Sequence, residues 1–361
     1  MKFDEVVAQA SQKWKEVPGA TDTQPRQFSD ELLKLPNEEL LAWWDKRNAE
    51  SASLRGWYRR LYGPILKGKK VVEIGSGLGF DAVHFASEGA RITCCDIAPS
   101  NLEVIQRIAS LKGLNIETLS IESLHSFERL PVDFDFVWAI GSIHHIPFDG
   151  ARQESLEIIK HLKLGGRWIE LSYPRERWVR EGSPKFSDWG RMTDGDRTPW
   201  VEWYDSEKLK TRLSPWRLEF NLEYRHQSNA YIWLDCQVIG QHSSSKGPII
   251  EIAAPNKRLA APGKLWDYAW SAPLPVTSAA GPIAIEIEAE VQQGSVGFVA
   301  WKEEGDEFLS REVIVDTSTG NQLIYLKVEE PQPNLRLLTR NASARGTSFY
   351  QINSIRARPQ R

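Results

Sequence analysis

The segment VVEIGSGLGF, Val71–Phe80, decides the fold. Its first four residues form an apolar strand interrupted by one acid, and the next five place glycine at every second position. A strand that runs into a glycine-rich turn and then into a helix is the usual layout of a nucleotide- or nucleoside-binding loop in an α/β sheet. The segment therefore predicts a ligand site at the carboxyl end of a buried strand.

Outward from this segment, short apolar strands alternate with helical segments between residues 69 and 172. This alternation is typical of βαβ units around a parallel sheet. Two strand-like runs then follow each other closely, WRLEFNLEYRH and AYIWLDCQVIG, and such short connections join antiparallel strands. We therefore predict an α/β domain over residues 67–240, with a doubly wound, mostly parallel sheet that ends in an antiparallel hairpin.

The two ends of the chain differ from this central domain. Residues 1–66 carry helical patterns and predict an N-terminal helical cap, with one helix ending near Gly63-Pro64. Residues 241–247, QHSSSKG, are small and polar and indicate a linker. Residues 248–361 alternate with period two between turns, which predicts a C-terminal β-sandwich or jelly-roll accessory domain.

Composition narrows the range of functions. Lys plus Arg total 45 against 48 Asp plus Glu, a formal net charge of -3, which argues against nucleic acid as a partner. No apolar run reaches the roughly 20 residues of a membrane span and the first residues do not form a signal peptide, so we expect no transmembrane segment and a cytoplasmic location. Cys94, Cys95 and Cys236 lack metal-ligand spacing, so we expect reduced buried thiols and no metal site.

The glycine loop differs from the dinucleotide fingerprint. Its third glycine would fall at position 80, which is Phe80, and Glu73 precedes the first glycine by two residues. A carboxylate at that point repels a pyrophosphate and favours a cation. Asp96, at the end of the next strand, can accept hydrogen bonds from ribose hydroxyls. A cation joined to a nucleoside describes S-adenosylmethionine.

Four segments in order carry a family resemblance: VVEIGSGLG, CCDIAPSNLE, FDFVWAIGSIHHIP and HLKLGGRWIELSYP. Over residues 67–240 they resemble the successive motifs of the class I, seven-strand S-adenosylmethionine-dependent methyltransferases. The resemblance implies a seven-stranded sheet and S-adenosylmethionine as cofactor. A tight turn without a ligand is the alternative for the glycines alone.

The resemblance also implies a set of cofactor-binding residues. The glycine loop would approach the methionine part, the acid before it would orient the amino group, and the acid after the second strand would hold the ribose. A further acid, Glu122, would face the adenine or would simply be a surface residue. The full set is Glu73, Gly75, Ser76, Gly77, Asp96, Ile97, Glu122, Ile140 and Gly141.

Methyl transfer to a hydroxyl or an amine also requires the acceptor to lose a proton. His144 and His145 follow the fourth strand, whose carboxyl end opens onto the cleft, so each is a candidate general base. A structural or cofactor-shaping role is the alternative for both. Glu170 and Tyr173, near the end of the fifth strand, are candidates for contact with the acceptor.

The insertion from residue 173 to residue 205 combines aromatic rings with charged groups, which suits a polyhydroxylated ligand. We interpret it as a substrate lid, with the tryptophans as anchors of an ordered insertion as the alternative. The candidate substrate-binding residues are Trp178, Trp189, Arg191, Asp194, Trp200, Trp203 and Tyr204. In the C-terminal domain, aromatic residues such as Trp266, Tyr268 and Trp301 would bind a glycan if exposed and form core if buried.

The sequence as a whole predicts an O-methyltransferase that acts on a hydroxyl of a sugar or glycan precursor. Transfer to oxygen or nitrogen of a small natural product or metabolite is the enzymatic alternative. A protein that binds glycans or serves as a scaffold, with the methyltransferase fold but without turnover, is an alternative from another class. The C-terminal domain is a candidate for delivering a long substrate or for pairing two chains.

Overall fold

The computed structural model describes residues 3–16, 28–241, 250–255, 257–274, 281–317, 321–344 and 346–359. The predicted linker lies outside the described residues except for Gln241. The chain divides into two compact units. The first comprises Met1–Ile146, Gly150–Ser206 and Leu218–Ile239, and the second comprises Pro147–Asp149, Glu207–Arg217 and Gly240–Arg361.

A seven-stranded mixed sheet carries the candidate site. Its strands are β1 Lys70–Ile74, β2 Arg91–Asp96, β3 Ile116–Ser120, β4 Phe134–Ile140, β5 Leu162–Ser172, β6 Trp216–His226 and β7 Tyr231–Gln241. The order across the sheet is β3-β2-β1-β4-β5-β7-β6. Strands β1 to β5 pair in parallel and β7 pairs antiparallel with β5. This confirms the predicted sheet and its antiparallel end.

Nine α-helices accompany the strands in the described part of the chain. They are α1 Phe3–Trp14, α2 Ser29–Leu32, α3 Asn37–Leu66, α4 Phe80–Ser87, α5 Pro99–Leu111, α6 Phe148–Ile159, α7 Arg175–Arg180, α8 Phe186–Asp194 and α9 Ser206–Leu213. Helix α3 continues through Gly63-Pro64 and ends at Leu66, two residues beyond the predicted end. Tyr62 and Leu66 are buried, and this packing outweighs the hydrogen bond that Pro64 cannot donate.

Aromatic packing fixes α3 over the sheet. Tyr58 stacks on Trp233 with ring centroids 5.0 Å apart, and both rings contact Trp138 of β4. Trp44, also on α3, is buried and donates its indole N–H to the carbonyl of Leu78 at 2.8 Å. Helix α3 therefore contacts the glycine loop directly, and one of its faces lines the candidate site next to this loop.

The second unit contains an all-β sandwich. Its strands are β8 Ile250–Ile252, β9 Arg258–Ala261, β10 Tyr268–Pro273, β11 Ile283–Gln293, β12 Ser295–Lys302, β13 Glu307–Phe308, β14 Val313–Asp316, β15 Gln322–Val328, β16 Leu335–Asn341 and β17 Ser348–Pro359. They form two five-stranded sheets: β10-β16-β12-β13 with β14 on β12, and β15-β11-β17-β8 with β9 on β17. Alternate residues of both sheets form one apolar core, as the period-two pattern predicted. Over the part of the chain that the structure describes, no helix has the length and apolar character needed to cross a membrane.

Candidate functional site

A cavity of about 610 Å³ lies in the first unit, at the carboxyl ends of β1, β2 and β4. Its volume is in the range of sites for small molecules and cofactors, roughly 300–1,000 Å³. Ligands bind at this edge in open α/β sheets because the strand order reverses there. The glycine loop, α1, α3 and the insertion after β5 all contribute to its wall.

The glycine loop needs its glycines. Gly75, Gly77 and Gly79 all have positive φ, at 68°, 53° and 70°. A Cβ on Gly75 would lie 2.4 Å from the Cβ of Ser142, which follows β4, so the loop and this strand end approach each other closely. The N–H of Gly75 donates to the carbonyl of Cys95 at 2.8 Å, which ties the loop to β2 as well.

Asp96 organises the floor of the cavity. Its carboxylate accepts the backbone N–H groups of Gly77 and Ala98, each at 2.8 Å, and the side-chain amide of Asn101 at 3.3 Å. Burial raises the pKa of Asp96 to about 6, although these hydrogen bonds act in the opposite direction. Beyond the ribose contact that the resemblance implies, Asp96 therefore shapes the loop itself, a role that sequence reasoning missed.

Glu73 also lines the cavity, nearly fully buried. Burial raises its pKa well above the ordinary value, the charge of Asp81 adds to this effect, and the thiol of Cys94 donates to the carboxyl at 3.6 Å. Arg59 lies 2.7 Å from Asp81, and its positive charge acts in the opposite direction on the pKa of Glu73. A bound cation would favour the ionised form of Glu73, so its position fits the role expected from the sequence.

The other residues assigned to the cofactor lie mostly together. Ser76, Ile97, Ile140 and Gly141 line the cavity, and a Cβ on Gly141 would meet open space. Glu122 is exposed and does not line it, so its position agrees with the alternative of a surface acid. The loop, the two strand-end acids and the open floor fit a nucleoside joined to a cationic group.

Helix α1 forms a wall that sequence reasoning missed. Phe3, Val7, Ala10 and Trp14 line the cavity. Trp14 packs on His145 with ring centroids 4.3 Å apart. The helical spacing of these four α1 residues was visible in the sequence, but periodicity shows only that a face is apolar and not what that face covers.

A buried chain of hydrogen bonds stands behind His144. Its Nδ1 lies 3.3 Å from the hydroxyl of Ser172, that hydroxyl donates to Glu170 at 2.9 Å, and the indole N–H of Trp168 donates to the same carboxyl at 3.0 Å. Because the Ser172 hydrogen points to Glu170, its oxygen accepts from Nδ1–H of His144. The tautomer inferred from this network puts the basic lone pair on Nε2. The alternation of β5 places Trp168, Glu170 and Ser172 on one face.

The neighbouring candidates have different surroundings. His145 is stacked between Trp14 and His144, and burial lowers its pKa, so it is neutral at physiological pH. Tyr173 packs its ring 4.7 Å from that of His144 and donates its hydroxyl to both oxygens of Asp194, at 2.9 and 3.0 Å. His144 combines a place in the cavity wall with a side-chain hydrogen-bond chain that leads through Ser172 to the buried Glu170 carboxylate.

The insertion after β5 forms a small core of its own. Trp178, Trp189 and Trp203 are buried there against Tyr173 and Phe186. Tyr204 is also buried, and Trp200 is partly buried and donates to Glu202. Their burial agrees with the alternative that the tryptophans anchor an ordered insertion, because a segment without its own sheet must bury its large apolar groups against one another. Arg191 and Asp194 line the cavity.

A second group of residues in the wall was absent from the sequence prediction. Ser51, Arg55 and Tyr58 project from one face of α3, and Tyr231 of β7 and Arg177 of α7 lie in the same wall. The guanidinium of Arg177 stacks on the ring of Tyr173 at 4.2 Å. Within the described residues, no group of three or more His, Cys, Asp or Glu is arranged to hold a metal ion.

Comparison with known proteins identifies the segment around the glycine loop. Residues 72–168 match the model of a methyltransferase domain family. A ubiquinone biosynthesis O-methyltransferase of Pseudomonas fluorescens is 31% identical over 112 residues, 29% of this chain and 47% of that protein. The corresponding protein of Paracidovorax citrulli is 33% identical over 139 residues, 36% of this chain and 56% of that protein. The chain thus spans about half the length of the curated relatives it matches.

A similar solved structure is the magnesium protoporphyrin IX methyltransferase of Synechocystis with bound S-adenosylmethionine. It is 14% identical, with a TM-score of 0.40, and covers 66% of this chain and 98% of its own. From the family match, residues 72–168 form a methyltransferase domain, and the class I resemblance is confirmed for this part of the chain. S-adenosylmethionine is the cofactor of that class.

Proposed function

We propose, on the premise of this methyltransferase domain, that the chain transfers a methyl group from S-adenosylmethionine to a hydroxyl oxygen of its acceptor. One observation carries the proposal: a single cavity joins the glycine loop to a buried histidine that a serine and a glutamate support. A hydroxyl acceptor must lose a proton, and this arrangement supplies a base for it. The matched segments of the relatives named as O-methyltransferases point to the same atom class.

The residues of this chain would divide the work as follows. S-adenosylmethionine supplies an electrophilic methyl group on a sulfonium. Nε2 of His144 takes the acceptor proton, while Ser172 and Glu170 hold the ring in the required tautomer and stabilise the imidazolium that forms. Helix α1 and the insertion wall exclude water, which strengthens each electrostatic contact in the cavity.

The cavity wall favours a small flat acceptor. Tyr58, Tyr173 and Tyr231 line it together, and the last two rings are 5.4 Å apart. Such rings stack on an aromatic acceptor and can also cover the apolar face of a sugar. Because the tryptophans behind the sugar prediction are buried, we place the small-metabolite alternative first.

A sugar or glycan acceptor is the second candidate, and a feature of the β-sandwich favours it. Trp266, Tyr268 and Phe308 are 40%, 43% and 37% exposed, and the Arg340 guanidinium lies over Trp266 at 4.5 Å and over Phe308 at 4.8 Å. Exposed rings beside a charged group can hold a glycan while its hydroxyl is modified elsewhere.

The pairing of two chains through the second unit stays a prediction, which the molecular mass of the protein in solution will check. A cytoplasmic location also stays a prediction.

The test has two stages. Calorimetry with S-adenosylmethionine should show binding, which Asp96→Ala weakens about tenfold or more. Labelled methyl transfer is then measured on matched acceptors that present a phenolic hydroxyl, an aromatic amine or a sugar hydroxyl. Label in the phenol or the sugar supports O-methylation and separates the two acceptor classes. Absence of cofactor binding, or label in the amine alone, would refute the proposal.

A further inference from the structure

Strand β6, Trp216–His226, forms one edge of the seven-stranded sheet. It pairs with β7 on its inner side, and among the residues that the structure describes no strand pairs with its outer side. It has eleven residues, about twice the usual strand length of roughly 5–6. None of them is buried, whereas residues 232–236 of β7 are all buried. A long open edge of this kind offers a row of backbone N–H and C=O groups to another strand.

One face of β6 carries an unbroken apolar row. Alternate residues of a strand share a face, and the five members of this row are Trp216, Leu218, Phe220, Leu222 and Tyr224. Leu222 packs against the hydrophobic core beneath it, and the ring of Tyr224 lies 5.7 Å from that of Trp57 on α3. The first four members are half-buried and Tyr224 is 46% exposed. Further burial of this row would stabilise an assembly.

The other face of β6 carries a row of polar and charged side chains, namely Arg217, Glu219, Asn221, Glu223 and Arg225. The first four are exposed, and Arg225 donates to Glu223 and, at 3.0 Å, to Glu176 of α7. Charged side chains on an edge strand often prevent unwanted pairing. Here both signs are present, so the charges oppose or favour pairing according to the register.

A second copy of the chain can meet this edge through a two-fold axis, which makes the two β6 strands antiparallel. Residues opposite each other then share a face, so the axis passes beside one residue of the strand. An axis beside Asn221 would place Arg217 opposite Arg225 and Glu219 opposite Glu223. Like charges directly opposite each other destabilise a strand pair, so this register is disfavoured.

An axis beside Phe220 gives the reverse result. Arg217 of each copy then lies opposite Glu223 of the other, and Glu219 lies opposite Asn221. Cross-strand pairs of opposite charge stabilise a sheet. The apolar row also pairs entirely with itself in this register: Trp216 with Tyr224, Leu218 with Leu222, and Phe220 with its own copy.

An axis beside Leu222 also brings opposite charges together, since Glu219 then lies opposite Arg225. This register uses an arginine that already bonds to Glu223 and Glu176. It also leaves Trp216 opposite residue 228, beyond the end of the strand. The register about Phe220 covers the complete apolar row and is therefore the better one.

We propose that two copies of this chain pair edge to edge through β6, with Phe220 at the two-fold axis. One sheet then continues through both copies, with two symmetric Arg217–Glu223 pairs on one face and the apolar row on the other. The interface is separate from the cavity and does not depend on the proposed methyl transfer.

Sedimentation of the full chain over a range of concentrations tests the proposal. The variants are Arg217→Glu, Glu223→Arg, both together, and Glu103→Arg as a control at an exposed acid of α5. We expect a wild-type dimer whose dissociation constant rises about tenfold or more in each single variant, because each reversal creates two like-charged pairs. The double variant should recover most of this loss, and the control should match the wild type.

Amide hydrogen exchange tests the backbone pairing directly. Exchange in residues 216–224 should slow as the protein concentration rises, because outward N–H groups become bonded in the dimer. Melting temperatures under monomeric conditions show that all variants are folded. A monomeric wild type, a dimer that neither reversal weakens, no recovery in the double variant, or exchange independent of concentration would each overturn the proposal. So would an equal loss in the Glu103→Arg control.

Discussion

The carboxylate of Asp96 supports the glycine loop, but its burial disfavours the ionised form. Its pKa of about 6 lies above the ordinary value of 3.8, so between these values the folded chain holds a proton that the unfolded chain has released. The contribution of Asp96 to the free energy of unfolding therefore falls as pH rises from about 4 to about 6. The hydrogen bonds of the glycine loop to the ionised Asp96 carboxylate form over the upper part of this pH range.

This gives a prediction for Asp96→Asn. Relative to the wild type, its free energy of unfolding should improve by about 1 kcal/mol between pH 5 and pH 7.5, because the ionisation penalty is absent in the amide. Its affinity for S-adenosylmethionine should be lower at both pH values. Urea unfolding checks the first part and calorimetry checks the second. Glu103→Gln, at an exposed acid of α5, is the control, and an equal pH effect in both variants would contradict the argument.

The second prediction concerns the support of His144. His144→Gln should lower the rate of methyl transfer roughly 100-fold or more, because the acceptor loses its base. Glu170→Gln should lower it by about tenfold or more, because an amide has one oxygen for two donors, Ser172 and Trp168, and the Ser172 hydrogen can then turn toward His144. Single-turnover rates over a range of pH provide the measurement.

The affinity of these variants for S-adenosylmethionine is the control. It should stay within about twofold of the wild-type value, since neither side chain belongs to the glycine loop. A base should also change the pH dependence of the rate, and a packing residue should not. Full activity of His144→Gln would contradict the assignment of His144 as the base. A rate of Glu170→Gln that falls only together with its melting temperature would show that Glu170 has a structural role.

At the scale of elements, the glycine loop and the chain just after β4 approach each other too closely for a side chain at Gly75. Gly75 and Gly113 have nearly the same φ, 68° and 66°, but only Gly75 has a close neighbour, Ser142. Gly75→Ala therefore adds a steric conflict to the backbone strain, whereas Gly113→Ala adds the strain alone. We expect about 1–2 kcal/mol of destabilisation for Gly113→Ala and more for Gly75→Ala.

Affinity for the cofactor should separate the two variants further. Gly113→Ala should bind S-adenosylmethionine like the wild type, and Gly75→Ala should bind it about tenfold or more weakly, because the loop must shift. Ser142→Gly removes the neighbouring Cβ, so the double variant should recover part of the loss. Chemical unfolding and calorimetry provide both measurements. No recovery in the double variant would show that the close approach is not the cause.

The elements also show which parts of the structure the sequence could predict. The loop, the parallel sheet with its antiparallel end and the sandwich follow from local patterns, namely glycine spacing, apolar runs and period-two alternation. Helix α1 and Arg55 belong to the cavity through contacts distant in sequence, which no local pattern contains. Trp178 and Trp189 illustrate the same limit, because the same aromatic residue suits a ligand surface and a core, and only the packing decides between them.

At the scale of the whole molecule, the chain combines a cavity in one unit with exposed rings in the other. Trp301 of the sandwich is buried, whereas Trp266 and Tyr268 are exposed, so the sequence identified both kinds of aromatic residue without separating them. Phe308 was missed because it lies in a two-residue strand without a pattern. Binding of a small acceptor in the first unit and binding of a glycan by the second unit are independent proposals, and one variant can test them separately.

That variant is Trp266→Ala combined with Phe308→Ala. If the exposed rings bind a glycan, the double variant should lose retention on immobilised oligosaccharides, since each stacked ring contributes about 0.5–1.5 kcal/mol beyond its buried area. Its methyl transfer to a free phenolic acceptor should match the wild type, because the cavity lies in the other unit. Leu265→Ala removes a neighbouring exposed apolar side chain, 44% exposed, and should change neither property. Equal retention of the wild type and the double variant would exclude a glycan role for these rings, and loss of transfer to the free acceptor would instead place them in the catalytic function.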